Sequence, residues 1–166
     1  TDYWGLYARN KDIFADYSGY YHAYSHVNTL AGAGAAYLVS GEQHYLDTLI
    51  HAYDYLTTRQ AYATGGFGPD EGLQRSPQDL VKSLTSTISQ FETQCGSWAA
   101  FKMVKYLIEL TGDARYGDWV ELLTYNGIGA SVPMNPAGAV QYYSDYGLYG
   151  GTKRTNTGFW QCCAGT

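Results

Sequence analysis

A pattern stated twice constrains this chain most. Tyr37-Leu38-Val39-Ser40-Gly41-Glu42-Gln43-His44-Tyr45-Leu46-Asp47 is echoed by Tyr106-Leu107-Ile108-Glu109-Leu110-Thr111-Gly112-Asp113-Ala114-Arg115-Tyr116-Gly117-Asp118. In both, an apolar run at helical spacing stops at Ser/Thr-Gly, and an acidic residue opens the next run. Glycine accepts the left-handed conformation that ends a helix, and an acidic side chain suits the N-terminus that follows. Each copy therefore reads as an αα-hairpin, and repeated hairpins predict a solenoid or toroid.

The spacing predicts helices over 24–39, 43–57, 93–110 and 114–126. The first carries Val27, Leu30, Ala31, Gly34, Ala35 and Leu38 on one face, and the third buries Trp98, Phe101, Val104 and Leu107. Between them, residues 59–76 form a Gly/Pro-rich loop. After Asn126, Gly127, Gly129, Pro133, Pro136 and Gly138 break the pattern. Residues 139–143 and 158–162 read as short extended segments, which sets Cys162 and Cys163 facing the helix of Cys95. The expectation is one all-α domain over 1–166, helical over about 20–126, with a short β-rich tail over 127–166.

The chain has 166 residues and begins at Thr1 without methionine, from which a piece of a longer protein is expected. The net charge of -5, with no run of Lys or Arg, argues against nucleic acid or an anionic membrane as partner. No apolar stretch approaches membrane-spanning length. Eighteen Tyr and four Trp stand against five Phe, so most aromatic faces carry a polar handle. Such rings suit both faces of a sugar, although most of them fill helix–helix contacts.

The candidate chemistry lies in Glu92, Cys95, Cys162 and Cys163. Three thiolates and a carboxylate make a complete tetrahedral shell for zinc. Adjacent cysteines do not readily pair with each other, and an odd total leaves one thiol over. The plainer reading is that the cysteines pack as small hydrophobes. Glu92 and Cys95 share one face of a helical first turn, where a carboxylate and a thiolate are favoured. Glu71 lies in the glycine-rich loop, where backbone can approach a ligand closely. His26, Asn28 and Glu121 are unremarkable taken singly. Phosphate-binding loop, nucleophile-elbow and dinucleotide motifs are absent.

In order, Ser25-His26-Val27-Asn28-Thr29, Tyr62-Ala63-Thr64-Gly65-Gly66, Glu71, Phe91-Glu92-Thr93-Gln94-Cys95, Thr111-Gly112-Asp113-Ala114-Arg115-Tyr116, Tyr125-Asn126-Gly127 and Trp160-Gln161-Cys162-Cys163 form a pattern. It resembles the catalytic domain of the β-L-arabinofuranosidase-type glycoside hydrolases, family 127 and its close relative family 146. The resemblance runs from about Tyr20 to Thr166. It implies roughly half of an (α/α)6 barrel, and so apolar helix surface left exposed. It also implies a retaining glycosidase acting on carbohydrate, plant-derived arabinosides above all. By position, Cys162 would be a zinc-bound nucleophile, with Cys163, Cys95 and Glu92 completing the shell. Glu71 would be the general acid/base, and His26, Asn28, Glu121 and Tyr143 would contact the sugar.

One departure stands out. The family pattern most often has a single residue between the Glu and the Cys, whereas here Thr93 and Gln94 intervene. On a helix that turns Cys95 by about 100°. Two other readings stay open: a metal-free (α/α)-barrel glycosidase or lyase using carboxylates, and a non-catalytic sugar-binding homologue.

Overall fold

The computed structural model describes residues 2–131, 141–146 and 153–155. Its helices are α1 (Tyr3–Ala8), α2 (Ala23–Ser40), α3 (Gln43–Tyr55), α4 (Pro77–Ser86), α5 (Thr93–Thr111) and α6 (Gly117–Leu122). Three short strands, β1 (Phe91–Glu92), β2 (Gln141–Ser144) and β3 (Lys153–Thr155), form an antiparallel sheet in that order. The second expected extended segment, 158–162, lies outside the described residues.

Both hairpin stops form as the repeat predicts. Gly41 and Gly112 sit at φ 71° and 70° as left-handed caps of α2 and α5. The acidic starts differ from each other. Asp113 accepts from the Arg115 amide at 2.9 Å, whereas Glu42 makes no side-chain capping bond and instead lies 3.4 Å from His44.

Two helices escaped the sequence reading. The first, α1, is a short piece packed on α3. The second, α4, has Ser76 as N-cap, accepting from the Asp79 amide, and Pro at its first turn. That Ser-Pro-x-Asp start is a clear helix signal, and the adjoining glycine-rich loop masked it.

The core lies where α2 crosses α5 and α3, around Val27, Leu30, Leu49, Met103, Val104 and Leu107. The crossing is close because position 34 has no side chain: a Cβ there would stand 2.4 Å from Cγ of Tyr106. Gly34→Ala gains helix propensity of about 1 kcal/mol, yet forces Tyr106 off the helix at about 1–3 kcal/mol. A net loss in denaturant midpoint is expected, and a gain would show that the crossing yields freely.

Two burial expectations fail. Trp98 is 40% exposed; it stacks on Tyr24 at 6.1 Å and lies beneath the Lys102 ammonium at 4.4 Å. Leu38 is 62% exposed and Ala35 is exposed too, because the buried stripe of α2 ends at Gly34. Periodicity selects a face, but only a neighbouring element covers it. Leu38, Val39 and Ile108 thus leave apolar surface open at the ends of α2 and α5, as a partial toroid implies.

Candidate active site

The site is built on a strained turn. Gly68, Asp70 and Glu71 have φ of 75°, 49° and 62°, a run that costs about 1–3 kcal/mol at each non-glycine. Its surroundings hold it there. The Asp70 amide donates to Ser89 O at 2.8 Å, and Thr87 Oγ1 donates to Asp70 Oδ1 at 2.5 Å. An isolated bridge joins Gly72 to His22, and the Leu73 amide donates to Tyr21 O. Glu71 is thereby aimed at the start of α2.

Three donors converge on its carboxylate. Tyr143 Oη donates to Glu71 Oε1 at 2.5 Å and Tyr142 Oη does so at 3.1 Å, while His22 Nε2 lies 3.3 Å from Oε2. Consecutive strand residues ordinarily face opposite ways. Here the β2–β3 register shifts between Gln141 and Tyr143, a bulge that turns both hydroxyls to one side. The His22 ring is oriented by its own helix: Nδ1 accepts from the Ser25 amide at 3.3 Å, leaving Nε2 to carry the proton.

Glu92 faces Glu71 across Tyr142, whose hydroxyl is 3.0 Å from Glu92 Oε1. Strand pairing sets this up, since Glu92 is the register partner of Tyr143. Glu92 is 5% exposed, and its Oε2 is buried with no hydrogen-bond partner among the described residues. Burial raises its pKa and the Glu71 charge adds to this, against hydrogen bonds from Tyr142 and Cys95. For Glu71, burial also pushes upward, but the bonds from Tyr143, Tyr142 and His22 outweigh it and the net shift is downward. A hydroxyl has one hydrogen to share between two carboxylate oxygens. The pair is satisfied when Glu92 carries a proton or when a cation compensates it. One ligand atom each from His22, Glu71 and Glu92 lies within 4.8 Å of the others, close enough to hold a cation.

The structure brings together four of the residues singled out in the sequence: Glu71, Glu92, Cys95 and Tyr143. Cys95 is buried in the first turn of α5, near enough to Glu92 to hold the carboxyl pKa down against burial. Cys162 and Cys163 lie outside the described residues.

Three other candidates stand elsewhere. His26 is 4% exposed in a cage of Tyr3, Tyr7 and Tyr21, with Nε2 3.0 Å from Tyr7 Oη. Burial lowers its pKa to about 3, so it stays neutral. Asn28 accepts from Lys102 Nζ at 3.0 Å, tying α2 to α5. Glu121 is exposed on α6 beside a shallow cavity shared with Asp118 and Tyr125. Sequence reasoning missed His22 and Tyr142. The only signal for either was position, His22 beside a helix start and Tyr142 beside Tyr143.

Over residues 6–166 the chain matches the β-L-arabinofuranosidase GH127 catalytic domain. The chain belongs to this family. Solved structures agree in fold. It resembles a GH127 β-arabinofuranosidase with a TM-score of 0.63 at 22% identity, covering 99% of this chain and 25% of that one. It also resembles a GH127 β-L-arabinofuranosidase from Geobacillus stearothermophilus T6, with a TM-score of 0.62 at 19% identity, covering 84% and 24%. A third, described as a glycoside hydrolase, gives 0.59 at 21% identity, covering 74% and 22%. This GH127 chain thus spans about a quarter of each of these structures, and its hairpins form part of an (α/α)6 barrel. No curated protein matches it. No helix among the described residues is long and apolar enough to cross a membrane.

Proposed function

We propose that the full-length protein is a retaining glycoside hydrolase releasing terminal β-L-arabinofuranose, with Glu71 as acid/base and Cys162 as nucleophile. The observation that carries this reading is the convergence of Glu71 with the Glu92–Cys95 pair across Tyr142. Residues present fit a zinc ion: a buried carboxylate oxygen with no partner among the described residues and a buried thiol on the next helical turn are donors of the right kind. Glu92, Cys95, Cys162 and Cys163 would hold it. Bound there, zinc would keep the cysteine sulfurs as thiolates at neutral pH.

The remaining steps belong to the chain. The Cys162 sulfur bonds to the anomeric carbon as the glycosidic C–O bond breaks, and Glu71 passes its proton to the departing oxygen. A water then attacks the same carbon, Glu71 takes the water's proton, and the carbon–sulfur bond breaks. Hydrogen bonds from Tyr143, Tyr142 and His22 favour ionised Glu71, the form needed for the second half. A glycosidic oxygen accepting from Glu71 favours the protonated form needed for the first.

One observation favours a second reading. The environments push Glu71 down and Glu92 up, which is how a carboxylate pair divides base and acid roles. Chelation separates the two. Under the zinc reading, dialysis of the full-length enzyme against a chelator removes turnover and added zinc restores it. Activity that survives with no metal by elemental analysis moves the chemistry to Glu71 and Glu92.

A further inference from the structure

A cavity of about 720 Å³ lies against the turn that carries Glu71, lined by Asp70 and Gly72 from that turn. Its other walls are the 14–20 segment, with Phe14 and Tyr20, and α4, with Asp79, Lys82 and Ser86. The size is that of a small-ligand site.

The cavity is a built one. Arg75 clamps the 14–20 segment to the turn, donating from Nη1 to Tyr17 O at 2.9 Å and from Nη2 to Gly19 O at 2.8 Å. Its guanidinium also covers the Phe14 ring at 5.0 Å. Tyr20 joins cavity to carboxylate. In an extended segment alternate side chains share a face, and the Tyr20 ring stands 6.4 Å from that of His22, the partner of Glu71. The ring rests on Gly72, where a Cβ would come within 2.6 Å of it. Its hydroxyl reaches Asp70 O at 3.3 Å, yet Tyr20 remains 59% exposed. An aromatic ring is therefore left open to the cavity beside the acid/base.

We propose that this cavity is the leaving-group subsite, binding the sugar units on the far side of the scissile oxygen. The inference rests on the glycosidase reading above. An acid/base stands on the side from which the leaving oxygen departs, and the cavity begins at the residues flanking Glu71. The ligand is a neutral oligosaccharide. Asp70 and Asp79 are balanced by Arg75 and Lys82 in the lining, so no net field selects an ion. Tyr20 supplies a ring for a sugar face, and the charged groups supply hydroxyl partners.

The test titrates arabinobiose by calorimetry into the full-length protein, with and without Tyr20→Ala or Ser86→Trp, each in a Glu71→Gln background that suppresses turnover during the titration. Hydrolysis of 4-nitrophenyl β-L-arabinofuranoside is measured in parallel with Glu71 intact. Loss of one stacked ring, or filling of the cavity, is expected to weaken arabinobiose about tenfold. Unchanged binding in both variants, or no binding by the Glu71→Gln parent, overturns the subsite. Ser86→Trp acts from the opposite wall and decides the matter if Tyr20→Ala does not fold. Weakened binding in the variants, with no arabinofuranoside hydrolysed by any form, sinks the glycosidase reading and the leaving-group role with it, and leaves the cavity as a sugar-binding site.

Discussion

Glu71→Gln in the full-length enzyme is expected to lower kcat/KM on disaccharide arabinosides by about 10²–10⁴-fold, the usual worth of a positioned general acid or base. The amide keeps the shape of the turn and can still bond Tyr143, but it cannot give or take a proton. An aryl glycoside with a good leaving group needs little protonation, so its first step should suffer much less. A burst of phenol followed by slow turnover would then appear, because the second step still needs the base. Equal losses on both substrates would remove Glu71 from the acid/base role. The same variant carries a pH signature. The folded-state pKa of Glu71 lies below its ordinary value, so its bonds support the fold above the ordinary carboxylate pKa and are lost as pH falls through the lowered one. Glu71→Gln should flatten that acid limb of stability, and an unchanged limb would mean that the three donors do not act on the charge.

Phe91→Ala is the substitution expected to cost most in stability, about 3–5 kcal/mol by denaturant unfolding. Phe91 is fully buried, and its ring sits against Phe67 at 5.5 Å. Two glycines make room for it: a Cβ at Gly66 or Gly96 would lie 2.9 or 2.5 Å from the ring. A nest shaped by missing side chains has no flexible group with which to fill the hole, so relaxation is small. Phe91 also adjoins Glu92 on β1, and its loss should weaken binding of the metal proposed there. A stability change under about 1 kcal/mol would mean that the surrounding loops collapse onto the cavity.

Much of the helical layer was legible because its signals are local. Gly41 and Gly112 stop helices for reasons of φ alone, and both stops are found. The failures of burial occur where a periodic face is covered only in part: Trp98 has Tyr24 and Lys102 beside it but stays 40% exposed, and Leu38 lies past the end of the buried stripe of α2. What the sequence did not show at the site has another cause. His26 and His22 are one helical turn apart, and nothing local says which will face Glu71. The backbone bridge from His22 to Gly72 decides it, sending His26 into a tyrosine cage. Tyr142 reads as pointing away from Tyr143 until the register shift on β2 turns it back.

By itself the sequence determined the hairpins, their glycine stops, and the glycine-rich turn with its carboxylate, since each follows from backbone freedom and helical spacing within a few residues. It also carried the order of motifs that marks the family. Only the tertiary structure decided that Glu71 meets Glu92 through Tyr142, that His22 stands against Glu71, and that a clamped cavity opens beside them. Those contacts join residues 49 to 72 positions apart, and such pairings are fixed by the closure of long loops onto a common core rather than by any local preference.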